Sequence, residues 1–190
     1  MRCGVLAIGL LLVLATGPSH GQGRSSGTRT IDATAARLVF GPSAMTLRDV
    51  QETTNAERTT QVYRFTWPKY RVFSGNVQYV RIRGPILKSV ETPADADRAF
   101  KDLWPRHRSN PPRNIEKIEA GSLLGYFARR TSAVACGYFF LNDPSPAYQG
   151  SLQGYVAGEF CAAEGNSVSP QEAEAFLAVL RPWVRAIRLN

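Results

Sequence analysis

The chain has 190 residues with 23 Lys and Arg against 15 Asp and Glu, a formal net charge of +8 and an isoelectric point near 9.8. Its three cysteines and two histidines are too few for a multi-histidine metal centre, and the length suits one domain. A cationic balance favours anionic partners such as membrane surfaces, polysaccharides or nucleic acid over neutral ones.

The chain opens "MRCGVLAIGLLLVLATGPSHGQG", with Arg2 ahead of an apolar run of 11 residues from Val5 to Ala15. That is the layout of a secretory signal peptide, and the run is well short of the roughly 20 residues a membrane-spanning helix needs. Ser19 and Gly21 supply the small residues of a cleavage site, so residues 1–21 are expected to be removed on export to the periplasm or the extracellular space. No transmembrane segment is expected in the remainder. Without Arg2, 22 Lys and Arg stand against the same 15 Asp and Glu over residues 22–190, a net charge of +7. Lysine is confined to Lys69, Lys88, Lys101 and Lys117, so the basicity is largely arginine.

Residues 22–30, "QGRSSGTRT", carry too little apolar surface to offset the cost of ordering and are expected to form a flexible leader. A single α+β domain is expected over residues 31–190. Its first part is mixed: "RLVF" and "AMTLRDV" suit short strands, whereas "QETTNAERTT" suits a polar loop. "TTQVYRFTW" alternates strictly, with Tyr63, Phe65 and Trp67 on one side, as a half-buried strand does. A hairpin is then expected with "KYRVF" and "VQYVRIR" as strands and Ser74, Gly75 and Asn76 as its loop. Tyr70, Val72, Val80 and Ile82 would share the buried face. This stretch gathers Arg64, Lys69, Arg71, Arg81 and Arg83 among tyrosines, the composition of a platform for anions.

"TPADADRAFKDLWP" and "SPQEAEAFLAVLRP" share helix punctuation: Thr92 or Ser169 as N-cap, Pro93 or Pro170 at the first helical position, and acidic residues in the first turn. Ala96, Phe100, Leu103 and Trp104 form the apolar stripe of the first helix. Phe176, Leu180, Trp183, Val184 and Ile187 form that of the second. Pro182 is expected to end or kink the second helix near Arg181. Between the helices, "IEKIEAG", "SLLGYFARRT", "AVACGYFFL" and "QGYVAGEFC" suit the strands of an antiparallel meander. The expected architecture is therefore α+β, an antiparallel β-sheet meander with two α-helices packed on it.

Cys136 and Cys161 admit a register test. If they face each other, the turn between their strands falls within "DPSPAYQG". The same register sets Gly137 against Phe160, Phe139 against Gly158 and Leu141 against Val156, so that aromatic rings cover glycines on the neighbouring strand. Residues so opposed are close enough for a disulfide, and closing a loop of about 26 residues contributes about 3.5 kcal/mol in the chain-entropy account. The cysteines lack the two-residue spacing of a redox dithiol, and an exported chain favours a structural disulfide.

Few other residues suggest chemistry. His107, alone after residue 21, lies in "RHRSNPPRN" without a fixed partner to make it a base. Asp95 with Asp97, Glu116 with Glu119, and Glu172 with Glu174 are carboxylate pairs, the first and last in helix first turns where negative charge is favoured anyway. Glu159, expected on the same face as Tyr138, is the strongest carboxylate for a small hydrolase or lyase, although exposure on an outer sheet face is the expected state. Gly125-Tyr126, Gly137-Tyr138 and Gly154-Tyr155 are read as strand packing. No phosphate-binding glycine loop is present and no cofactor is expected.

A strand carrying "GYVAGEFC", a short loop and the capped helix "SPQEAEAFLAVL" together resemble the closing arrangement of small exported bacterial proteins without assigned activity, over about 35 residues. The resemblance implies an exported location and no catalytic residues. The leading expectation is a non-enzymatic binding or accessory protein of the cell envelope. Arg64, Arg71, Arg81, Arg83, Arg106, Arg108 and Arg113 are its candidate contacts to an anionic envelope component or another envelope protein, with nucleic acid disfavoured.

Overall fold

The computed structural model describes residues 27–41, 45–67, 73–83, 87–104, 111–131, 134–162 and 167–190. The expected signal peptide, Arg71, Arg106, Arg108 and His107 lie outside them. Strands β1 (Gly27–Thr30), β3 (Thr46–Thr54), β4 (Arg58–Thr66) and β5 (Phe73–Ile82) form one antiparallel group, and β7 (Arg113–Ala120), β8 (Leu123–Thr131), β9 (Ala135–Pro144) and β10 (Ser151–Ala162) form a second. Antiparallel pairing of β5 with β10 fuses them into one sheet of order β1-β3-β4-β5-β10-β9-β8-β7, and the short β6 (Leu87–Lys88) pairs with β10 beyond the end of β5. The sheet is thus two meanders joined out of sequence, the chain crossing from β6 through helix α1 (Pro93–Leu103) to the far edge. Helix α2 (Pro170–Arg185) and a two-stranded pairing of β2 (Leu38–Val39) with β11 (Arg188–Leu189) complete the fold.

The helices begin where their caps direct. Thr92 and Asp95, and Ser169 and Glu172, form reciprocal capping boxes. Their apolar stripes bury against opposite faces of the sheet. Ala96 and Phe100 of α1 join Tyr126, Tyr138, Phe140 and Tyr155, whereas Phe176, Leu180, Trp183 and Val184 of α2 join Tyr63, Phe65, Phe127, Phe139 and Phe160. Of the two outcomes expected at Pro182, an end is excluded: α2 continues past it to Arg185. Pro182 and Ala178, four residues earlier, are both exposed, while Trp183, Val184 and the following Ile187 are buried. Packing of that stripe offsets the missing hydrogen bond, and water is available to the freed carbonyl.

The register between β9 and β10 is the expected one, with Cys136 opposite Cys161, Gly137 opposite Phe160, Phe139 opposite Gly158 and Leu141 opposite Val156. The cysteines form a disulfide. Three other expectations are corrected. Ser74, Gly75 and Asn76 lie inside the continuous strand β5, so no hairpin turns there. "QETTNAERTT" contributes the end of β3 and the start of β4 around a tight turn at Asn55, whose Oδ1 accepts from the backbone N–H groups of Glu57 and Arg58. Gly27–Thr30, expected within a flexible leader, pairs with β3 along its whole length, because four backbone ladder positions supply what its exposed side chains do not. Among the described residues, no helix is long and apolar enough to cross a membrane.

Candidate anion-binding cleft

Side chains at alternate strand positions share a face, so antiparallel register turns sequence into rows across the sheet. One row runs Arg29, Glu52, Gln61, Tyr79 over β1, β3, β4 and β5; the next runs Gly27, Thr54, Thr59, Arg81 and Gly154. The glycines at either end of that second row carry no side chain, which leaves the rows open above. Gly154 can be nothing larger, since a Cβ there would sit 2.6 Å from the Val80 carbonyl oxygen.

These rows floor a cavity of about 510 Å³, rimmed further by Arg37, Ile82 and Arg83. Arg37 is brought over the floor by long-range pinning of its backbone, whose N–H donates to Gln61 Oε1 at 2.9 Å and to the Tyr63 hydroxyl at 2.9 Å. Arg83 is fixed by donation from its N–H to the Glu57 carbonyl at 2.6 Å. Among the described lining residues, four guanidiniums therefore meet one carboxylate, Glu52, a formal charge of +3.

Glu52 is committed to internal partners: Gln61 Nε2 donates to it at 2.8 Å and Arg29 Nη2 at 2.7 Å. The Gln61 bond, with help from Arg29, holds its carboxyl below the ordinary glutamate value despite some desolvation. Tyr79 donates to Asp143 Oδ2 at 3.0 Å, and Gln153 donates to the other oxygen at 3.1 Å. Burial, reinforced by Asp143, pushes the Tyr79 phenol well above the usual range, so it is neutral at any physiological pH. Apart from Ile82, the remaining lining groups are hydroxyl and amide. Guanidiniums, hydroxyls and amides recognise carboxylate, phosphate or sulfate oxygens by charge-assisted hydrogen bonding.

A second cavity, of about 290 Å³ under α2, also contains arginines, but Arg129 pairs with Glu174 at 3.1 Å and Arg181 with Glu116 at 2.7 Å. Its charges cancel. The first cleft keeps three in excess.

Of the seven arginines expected as contacts, Arg81 and Arg83 enter the cleft. Arg64 points from the opposite face and is paired with Asp49 at 2.9 Å and Gln51 at 3.0 Å. Arg113 lies on the far edge strand opposite Arg129. The remaining three are outside the described residues. Arg29, Arg37, Gln61 and Tyr79 were not legible as site residues, although the alternation in "GTRT" is a strand signal that its polarity obscures. No known family model, characterised protein or solved structure matches the chain.

Glu159 departs from its expected exposure, being only 7 % exposed. It sits opposite Tyr138, whose ring packs against Phe100 and Trp104 at centroid distances of 6.3 and 5.7 Å. Five of the other six carboxylates considered for catalysis serve structure: Asp95 and Glu172 cap helices, Asp97 pairs with Lys101 at 2.6 Å, and Glu116 and Glu174 hold arginines. Tyr126, Tyr138 and Tyr155 of the three Gly-Tyr pairs are buried on the α1 face, as strand packing requires.

Proposed function

We propose that the chain is an exported, non-enzymatic binding or accessory module of the cell envelope, and that the cleft between β1, β5 and the Arg37 segment takes an anionic ligand. The convergence of Arg29, Arg37, Arg81 and Arg83 on one open floor with, among the described residues, one internally paired carboxylate carries this reading. A cleft with like charges on its walls focuses the field on its opening and raises the local concentration of anions. Its size suits a small multivalent anion or the end of an acidic polymer rather than a duplex. The disulfide and the N-terminal signal pattern support an oxidising, extracytoplasmic location.

A hydrolase or lyase using Glu159 and Tyr138 needs both groups in contact with substrate. Their burial on the α1 face favours the binding reading.

Calorimetric titration of the full chain with citrate, pyrophosphate and oligogalacturonate tests the proposal. Binding of at least one probe is expected, weakening as salt screens the charges. R81E/R83E should lower the affinity at least tenfold, whereas R64E, on the opposite face, should leave it unchanged. Equal loss in both variants, or no binding by any probe, overturns the cleft as the site.

A further inference from the structure

The pairing of β8, β9 and β10 sets Arg130 opposite Cys136 and Cys136 opposite Cys161, a single row across three strands. The adjacent row holds Ala128, Tyr138 and Glu159. The two sulfurs of the disulfide consequently have different surroundings. Cys136 is fully buried, and Arg130 Nη2 lies 3.6 Å from its Sγ. Cys161 is partly exposed, with Glu159 Oε1 at 3.4 Å and the Tyr138 hydroxyl at 3.7 Å from its Sγ.

Arg130 is the informative member. It is partly buried, its Nε is buried without a hydrogen-bond partner, and its one polar side-chain contact among the described residues is the Cys136 sulfur. Removing a guanidinium from water without a counter-charge is costly, and a neutral disulfide sulfur compensates poorly as a weak acceptor. Reduction changes that balance. A thiolate on Cys136 places a negative charge beside Arg130, whose guanidinium has no paired carboxylate among the described residues, and a cation beside a thiol stabilises its thiolate. A dithiol state stabilised in this way makes its disulfide easier to reduce.

We propose that Cys136–Cys161 is a reducible thiol–disulfide centre that exchanges with an external dithiol, with Arg130 as the positioning residue for the Cys136 thiolate. A thiolate of the external dithiol attacks Cys161 Sγ, the sulfur of the partly exposed cysteine. The new S–S bond forms there, the Cys136–Cys161 bond breaks, and its electron pair leaves on Cys136 beside Arg130. The second thiolate of the dithiol then attacks its partner's sulfur in the mixed disulfide and expels Cys161. Cys161 takes up a proton and donates it in a hydrogen bond to Glu159. The dithiol is oxidised and the protein reduced by two electrons. One of the dithiol's two protons ends on Cys161 and the other in solvent. None of these residues lines the anion cleft, so the two proposals stand or fall separately.

The full chain is equilibrated in glutathione buffers of graded ratio with a chelator present, because Cys136, Cys161 and Glu159 place their ligand atoms within 4.8 Å of one another. Free thiols are then alkylated and counted by mass. The wild type should be half-reduced within the range of these buffers, and R130Q should need about tenfold stronger reducing conditions, with R130K restoring part of the difference. In parallel, the thiolate absorbance of the reduced wild type, with C136S as reference, should rise at a pH well below the ordinary thiol value of about 8.5. A wild-type disulfide that resists every buffer, an R130Q variant that reduces like the wild type, or a Cys136 thiol that titrates at its ordinary value overturns the proposal. If R130Q does not fold, the wild-type titration alone decides.

Discussion

At Tyr63 one buried oxygen makes three hydrogen bonds: it accepts from the backbone N–H groups of Arg37 at 2.9 Å and Leu38 at 3.0 Å, and donates to Gln61 Oε1 at 2.5 Å. The alternation of "TTQVYRFTW" was sufficient to place this side chain on one side of a strand with Phe65 and Trp67. Its two backbone donors were not legible, because they come from a segment some 25 residues earlier and no local pattern records that pairing. Y63F leaves the buried Leu38 N–H without its acceptor, a cost of about 1–3 kcal/mol. It also loosens the segment that carries Arg37, whose N–H then has Gln61 Oε1 alone. A lower urea midpoint together with weaker probe binding is therefore expected, and lost stability with undiminished binding would remove Arg37 from the cleft. The phenols also set the alkaline limit. Burial first of all raises Tyr63, Tyr79 and Tyr155 above the ordinary tyrosine value near 10. Above that pH the unfolded chain loses protons that the folded chain keeps, so their stabilisation is complete below about pH 10 and is lost as pH rises through the folded values. Urea midpoints measured from pH 8 to pH 12 should fall from about pH 10 upward.

Among the elements, the register of β9 against β10 was legible while β5 was misread, and the glycines explain both outcomes. The cysteine pair fixes one register, and each glycine set opposite an aromatic ring agrees with it. A Cβ on Gly158 would meet the Phe139 ring at 2.3 Å. Gly75 is required for the same physical reason: its Cβ would meet the Glu159 carbonyl oxygen at 2.2 Å and the Phe160 ring at 2.5 Å. Within "SGN", however, a glycine covered by a ring from a distant strand looks like a turn glycine, because the covering residue lies far along the chain. G158A should cost about 1–3 kcal/mol through overpacking, with an unchanged denaturant slope. G27A, with nothing within 4 Å of the added atom, should stay within about 0.5 kcal/mol of wild type. A neutral G158A would show that the ring can move aside, and the glycine would then need another explanation.

Across the whole molecule, the α+β class and both helices followed from capping and periodicity. The fusion of two meanders through β5 and β10 did not, since no local pattern records which strands pair across a long connection. The placement of α2 matters most for cohesion. The Trp183 ring stacks on Phe40 at 5.3 Å and meets Phe65 of β4 at 5.2 Å and Phe160 of β10 at 5.4 Å, while Leu177 and Leu180 reach toward Gly137 of β9. One helix thus buries apolar surface against both meanders, which share a continuous core from Tyr63 and Phe65 to Ile118, Leu123 and Phe139. Such a core has no internal boundary at which one half can unfold while the other persists. W183A should therefore cost about 3–5 kcal/mol. Hydrogen exchange should show protection lost together over β3–β5 and β7–β10, following one unfolding transition. If β7–β9 kept its protection while β3–β5 opened, the β5–β10 seam would divide two cooperative units, and the cleft built on β1, β3, β4 and β5 would belong to the less stable one.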